Sequence, residues 1–157
     1  MDATAETTAL ERGIAIDASP ETVWQFLVDP EKAVLWMGER ATFDARPGGA
    51  WSIAVLPGNT ASGEFLELDP PHRLVYTFGW EPSGGEANPV PPGSSTIEIE
   101  LVPEGSGTML RFTHRDLPTT KSVESHTHGW GHYLGRLAVA AAGGDAGRDP
   151  WLDGGMS

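Results

Sequence analysis

Three histidines within seven residues, His126, His128 and His132 of HTHGWGH, are the densest group of side chains in this chain that could do chemistry. His128 and His132 stand four apart, so on a helix they share a face, a spacing that can grip zinc or nickel. A zinc site takes three or four ligands, however. The segment lacks the glutamate of an HExxH pattern and no third ligand is evident, so no metal is expected. A fourth histidine, His114, alternates with Leu110 and Phe112 on one face of a strand. Its neutral-range pKa would suit an acid, a base or a ligand hydrogen bond. The plainer reading is a strand-end imidazole satisfied by structural partners. Tyr76 and Glu64 are the other acid–base candidates. Glu64 and Glu67 should alternate to opposite faces of their strand and so form no carboxylate pair, while Glu98 and Glu100 share a solvent face. Ser19 reads as a helix cap. There is no GxSxG, P-loop, GxGxxG or cysteine nucleophile.

A second set could bind rather than react. Trp36, Trp51, Tyr76, Phe78, Trp80 and Trp130 fall on predicted inward faces or at a cavity mouth. Large aromatics with a few polar groups are what a small-molecule pocket uses; the alternative is that they fill a core. Ile53, Phe112, His114, His126, Tyr133 and Leu134 complete the predicted lining. His126 is the one of the three clustered histidines that should approach it.

These residues need elements to hold them. Lys121–Ala142 is the only segment long enough for a long helix. At 100° per residue, Val123, Thr127, Trp130, Leu134, Leu137 and Ala141 form one apolar stripe, with His126 and Tyr133 on its flank. His128, His132 and Arg136 point away, towards solvent. A helix apolar on one face must bury that face, and what precedes it is mostly strand.

A first strand is predicted over about 9–17. Ser19-Pro20-Glu21 and Asp29-Pro30-Glu31 then each open a short helix, with a cap, a proline at the first helical position and an acid at the positive end of the dipole. Six strands follow, over 41–45, 50–56, 61–68, 72–80, 96–102 and 108–115, joined by turn-forming Gly, Pro and Asn. Their tight turns imply an antiparallel sheet. Residues 1–8 read as frayed, 81–95, with four prolines, as a mobile loop, and the Gly-rich 143–157 as a flexible tail in which Trp151-Leu152 could dock.

A chain of 157 residues suits one domain, here residues 1–142. A net charge of −12 with ten scattered basic residues opposes nucleic-acid and anionic-membrane binding. No apolar run approaches the ~20 residues of a membrane span. With no cysteine and no basic-then-apolar leader, the expected location is cytoplasmic.

Several runs resemble a known family. They are Ala18-Ser19-Pro20-Glu21-Thr22-Val23-Trp24, Pro47-Gly48-Gly49-Ala50-Trp51, the stretch from Gly63-Glu64-Phe65 through Asp69-Pro70-Pro71-His72 to Phe78, Leu110-Arg111-Phe112-Thr113-His114, and Gly129-Trp130-Gly131-His132-Tyr133-Leu134-Gly135-Arg136-Leu137. In order and content the chain is similar to the SRPBCC (START-like, helix-grip) superfamily, and within it to the family named for the C-terminal domain of the activator of the heat-shock protein 90 ATPase. The resemblance implies an α+β helix-grip fold, a curved antiparallel sheet wrapped around the long C-terminal helix. It also implies an apolar cavity between them that holds a small hydrophobic molecule; separately, no cofactor is expected. A cyclase, aromatase or hydrolase acting through His114, Tyr76 or Glu64 is the alternative. A chaperone-contacting module is a third reading, not expected because the chain lacks the extra N-terminal domain of the eukaryotic co-chaperone. A homodimer is left open.

Overall fold

A computed structural model describes residues 9–82 and 90–154. The expectations for residues 1–8, for 83–89 of the 81–95 loop and for the last three residues fall outside that range. Seven antiparallel strands form one sheet in the order β1-β7-β6-β5-β4-β3-β2. They are β1 (Leu10–Ile16), β2 (Arg40–Phe43), β3 (Ala50–Leu56), β4 (Asn59–Asp69), β5 (Arg73–Trp80), β6 (Ser95–Glu104) and β7 (Gly107–Arg115). The first strand pairs with the last, while every other pair of neighbours is consecutive in sequence. The helices are α1 (Pro20–Val28), α2 (Pro30–Ala33), α3 (Thr120–Ala141) and α4 (Trp151–Gly154). This is the helix-grip arrangement, with α3 lying against the sheet.

The local signals explain the boundaries. Ser19 Oγ accepts from Thr22 N–H at 3.2 Å and Pro20 takes the first helical position, so α1 starts there. Asp29 closes α1 and opens α2, its Oδ1 accepting from Glu31 N–H at 3.0 Å. The chain leaves the helical pair through Gly38, at φ +81°. A Cβ there would lie 2.6 Å from Ile53 Cγ2 and 2.7 Å from Ala54 O. Only glycine allows this tight return to the sheet, and it sets Trp36 and Met37 against the wall formed by β3.

Alternation places Trp51, Ile53 and Val55 of β3 and Ile97, Ile99 and Leu101 of β6 inward, all buried. On β7, Leu110, Phe112 and His114 do the same. One irregularity matters for the site. The β4–β5 ladder is interrupted between Ser62↔Gly79 and Phe65↔Tyr76 without a change of register, and the register shifts between Phe65 and Glu67. The shift puts both Glu64 and Glu67 on the outside, correcting the expectation that they alternate. Glu67 there pairs with Arg73, Nε to Oε2 at 3.1 Å.

In the C-terminal segment Trp151 docks, as its sequence allowed. Residues 143–154 do not leave the domain as a free tail. They fold back along the face of α3 opposite the sheet, and Trp151 and Asp149 are buried there. No helix among the described residues is long and apolar enough to cross a membrane.

Candidate functional site: an aromatic cavity and its histidine wall

A narrow cavity lies between the sheet and the helices. Trp51 and Ile53 of β3, Phe65 of β4, and Leu74, Tyr76 and Phe78 of β5 form its sheet side. Trp130 of α3 forms another wall, Leu27, Ala33, Trp36 and Met37 contribute the side from the two short helices, and Phe43 of β2 completes the lining. None of these side chains is charged. The cavity volume is about 20 Å³. A pocket of that size holds about one water, so in this conformation aromatic rings fill most of the space.

The rings are fixed by their indole nitrogens, because a buried N–H needs an acceptor. Trp36 Nε1 donates to Phe26 O at 2.9 Å. Trp51 Nε1 donates to Thr77 O at 2.9 Å, a carbonyl lying in the break of the β4–β5 ladder. Gly63 permits that approach, since a Cβ there would lie 2.1 Å from Thr77 O. Trp51 meets Tyr76 edge-on, centroids 5.3 Å apart, and stacks on Phe78 at 5.8 Å.

Tyr76 is the exception among the polar lining groups. Its hydroxyl has no hydrogen-bond partner among the described residues, and burial holds its phenol well above the usual range.

Behind Trp130 and Phe78 stands a wall built on two histidines. Trp130 Nε1–H donates to His114 Nδ1 at 3.1 Å. The imidazole proton is therefore on Nε2, which donates to Ser95 Oγ at 2.9 Å, and the Ser95 hydroxyl donates to Phe78 O at 2.7 Å. His126 repeats the arrangement in the opposite tautomer. Its Nδ1–H donates to Ser122 O at 2.8 Å and its Nε2 accepts from Trp80 Nε1–H at 3.1 Å. The two imidazoles stand edge to face, 5.3 Å apart. Burial, reinforced by the nearby His126, pushes His114 down to about 3. Burial also lowers His126, partly offset by the Ser122 carbonyl. Both rings are neutral and fully engaged at neutral pH, so neither nitrogen of His114 is free to move a proton.

The outer face of α3 is also occupied. His132 Nε2–H donates to Asp149 Oδ1 at 2.7 Å, and its ring stacks on Trp151 at 3.8 Å and 10°. His128, itself exposed, lies over the same indole at 5.2 Å. Arg136 donates from Nε to Trp36 O, from Nη1 to Ala146 O and from Nη2 to Gly147 O, at 3.0, 3.0 and 2.9 Å. The expectation that His132 and Arg136 point to solvent is corrected: they are the clasp on which residues 143–154 fold. Helical projection gave their direction correctly, but not the segment that returns to cover them.

Of the predicted lining, Trp36, Trp51, Ile53, Tyr76, Phe78 and Trp130 meet at the cavity. Phe112 packs behind Trp130 at 4.6 Å. His114, His126 and Trp80 form the wall just described, and Leu134 is buried but absent from the lining. Tyr133 turns the other way, to Trp151 at 5.6 Å, and burial with Asp149 beside it raises its phenol pKa. Glu64 is exposed and is not among the lining residues. The sequence reading missed Leu27, Ala33, Met37, Phe43, Phe65 and Leu74 as lining. Phe65 alternates with Ala61 and Gly63 and was within reach; Phe43 depends on its register with Trp51, which only the fold supplies.

Comparison with known proteins gives a consistent picture. Residues 17–142 match the family profile described as Activator of Hsp90 ATPase homolog 1-like protein. The solution structure of an AHSA1-like protein from Rhizobium etli is 43% identical, covers 96% of this chain and 91% of its own, and superposes with a TM-score of 0.73. The crystal structure of CalU16 from Micromonospora echinospora is 27% identical over 85% of this chain and 76% of its own, with a TM-score of 0.67. An HSP90 activator from Plasmodium falciparum is 22% identical over 85% and 95%, with a TM-score of 0.69, a likeness of fold alone. No curated protein matches the chain.

Proposed function

The chain belongs to the Activator of Hsp90 ATPase homolog 1-like family within the SRPBCC superfamily, and from that premise we propose that it binds a small hydrophobic molecule between the sheet and α3. The observation that carries this reading is the uncharged, largely aromatic lining contributed by β3, β4, β5 and α3 together. Such a surface favours apolar guests by burial, at about 25 cal/mol per Å² removed from water. Because the space is now water-sized, a guest enters by displacing side chains of the lining. Met37 is suited to yield, since it sits on the short segment between α2 and β2 rather than on a strand and its flexible side chain makes no hydrogen bond.

An enzymatic reading has less support. A cyclase, aromatase or hydrolase needs a positioned acid or base, and both nitrogens of His114 are committed to Trp130 and Ser95. A chaperone contact is supported by the family description alone.

Titration with a neutral apolar probe such as ethylbenzene tests the proposal. Bound in the cavity, it quenches or shifts tryptophan emission and raises the melting temperature in proportion to ligand excess. A flat response in both readouts up to the probe's solubility would sink it.

A further inference from the structure

The lining of this cavity leaves one hydrogen-bonding group over. Trp36, Trp51 and Trp130 have spent their indole N–H groups on Phe26 O, Thr77 O and His114 Nδ1. Tyr76 packs its ring against Trp51 and Phe65, at 5.3 and 6.2 Å, yet its hydroxyl meets no protein partner among the described residues. This half-buried hydroxyl is left to solvent, and a guest that brought an acceptor into the cavity would take up the donor in place of water. We infer that Tyr76 is the specificity determinant of the site, and that the guest is a neutral, mainly aromatic molecule with a single carbonyl or ether oxygen aimed at Tyr76 Oη. This rests on the cavity-binding proposal and adds the chemistry of the guest to it.

Charge selection follows from the same lining. No cation stands among the residues that form the cavity, so a carboxylate entering it would lose its hydration without a partner. The net charge of −12 adds a general repulsion of anions. A guest with several hydroxyls fares no better, because only one protein group is free to answer them. Tyr76 remains a donor throughout the neutral range, since burial disfavours its phenolate.

Three probes of similar size separate these terms: ethylbenzene with no acceptor, acetophenone with one carbonyl, and benzoate with a negative charge. Binding is followed by protein-detected NMR at pH 7.5 in the wild type and in Tyr76→Phe, which keeps the ring packing. Acetophenone should bind about fivefold more tightly than ethylbenzene, the worth of one net hydrogen bond, and benzoate should be weakest. In Tyr76→Phe the acetophenone preference should vanish. The carbonyl ¹³C shift of bound acetophenone should lie further downfield in the wild type than in Tyr76→Phe, where the oxygen has no donor in the cavity. A preference that survives in Tyr76→Phe, or benzoate binding as tightly as acetophenone, overturns the inference. Ethylbenzene and acetophenone binding equally to the wild type overturns it while leaving the cavity proposal standing. Failure of all three to bind overturns both.

Discussion

The indole of Trp130 donates to His114 Nδ1 at 3.1 Å, and that one bond decides what His114 can do. It fixes the ring proton on Nε2, commits that proton to Ser95, and joins α3 to β7 and β6 through a chain that ends on Phe78 O. A histidine that a sequence presents as an acid–base candidate is here a buried connector between the long helix and the sheet.

The connector should be measurable as coupling. Trp130→Phe keeps most of the ring volume but leaves His114 Nδ1 buried without a donor, which should cost about 1–3 kcal/mol. His114→Leu should cost a similar amount by stranding the indole N–H. The double variant should cost less than the sum of the two, because the stranded partners disappear together. Chemical denaturation of the four proteins checks this, and strict additivity would refute it.

The pH dependence follows with a definite sign. The folded-state pKa of His114, about 3, lies below its ordinary value of 6.5, and that of His126 is also lowered. Above pH 6.5 both states are neutral and stability is unaffected. As pH falls below 6.5, the unfolded chain takes up protons that the folded chain refuses. Stability should therefore drop by up to about 1.4 kcal/mol per pH unit for His114, continuing towards pH 3. Denaturation midpoints between pH 7.5 and 4.5 check it, and His114→Gln should flatten the slope.

The clasp on the outer face of α3 makes a separate prediction. Asp149 accepts from both His132 and the Trp151 backbone, so Asp149→Asn should destabilise the protein by about 1–3 kcal/mol. Amide protons around Leu152 should exchange faster in that variant while those of β6 and β7 change little. Uniform loss of protection would show that the segment does not open as a separate unit.

Enlarging the cavity should trade stability for binding. Met37 is buried in the cavity lining, and Met37→Ala should cost about 2–5 kcal/mol by leaving a void. Ethylbenzene should recover more of that loss than it adds to the wild type, as judged by melting temperature with and without probe.

Much of this fold was legible in the residues, because its signals are local. Ser19-Pro20 and Asp29-Pro30 mark helix starts through backbone chemistry, and period-two alternation placed Trp51, Ile53, Phe78 and Trp130's strand partners inward. The cavity was legible only in part, because lining residues such as Phe43 and Met37 reach it through cross-strand register and the turn at Gly38. The partners of His132 and Arg136 were not legible at all. Helical projection says where a side chain points, but what meets it there is decided by the path of a Gly-rich segment with no periodicity of its own.

The central claim is that the aromatic space between β3, β4, β5 and α3 takes a small apolar guest. The most direct test is chemical-shift mapping of isotope-labelled protein during an ethylbenzene titration. Saturable shifts confined to Trp36, Met37, Trp51, Tyr76, Phe78 and Trp130 are expected, with intermolecular nuclear Overhauser effects to these side chains. Saturable shifts that map instead to the outer clasp of His132, Asp149 and Trp151, or no saturable shifts at all, would contradict it.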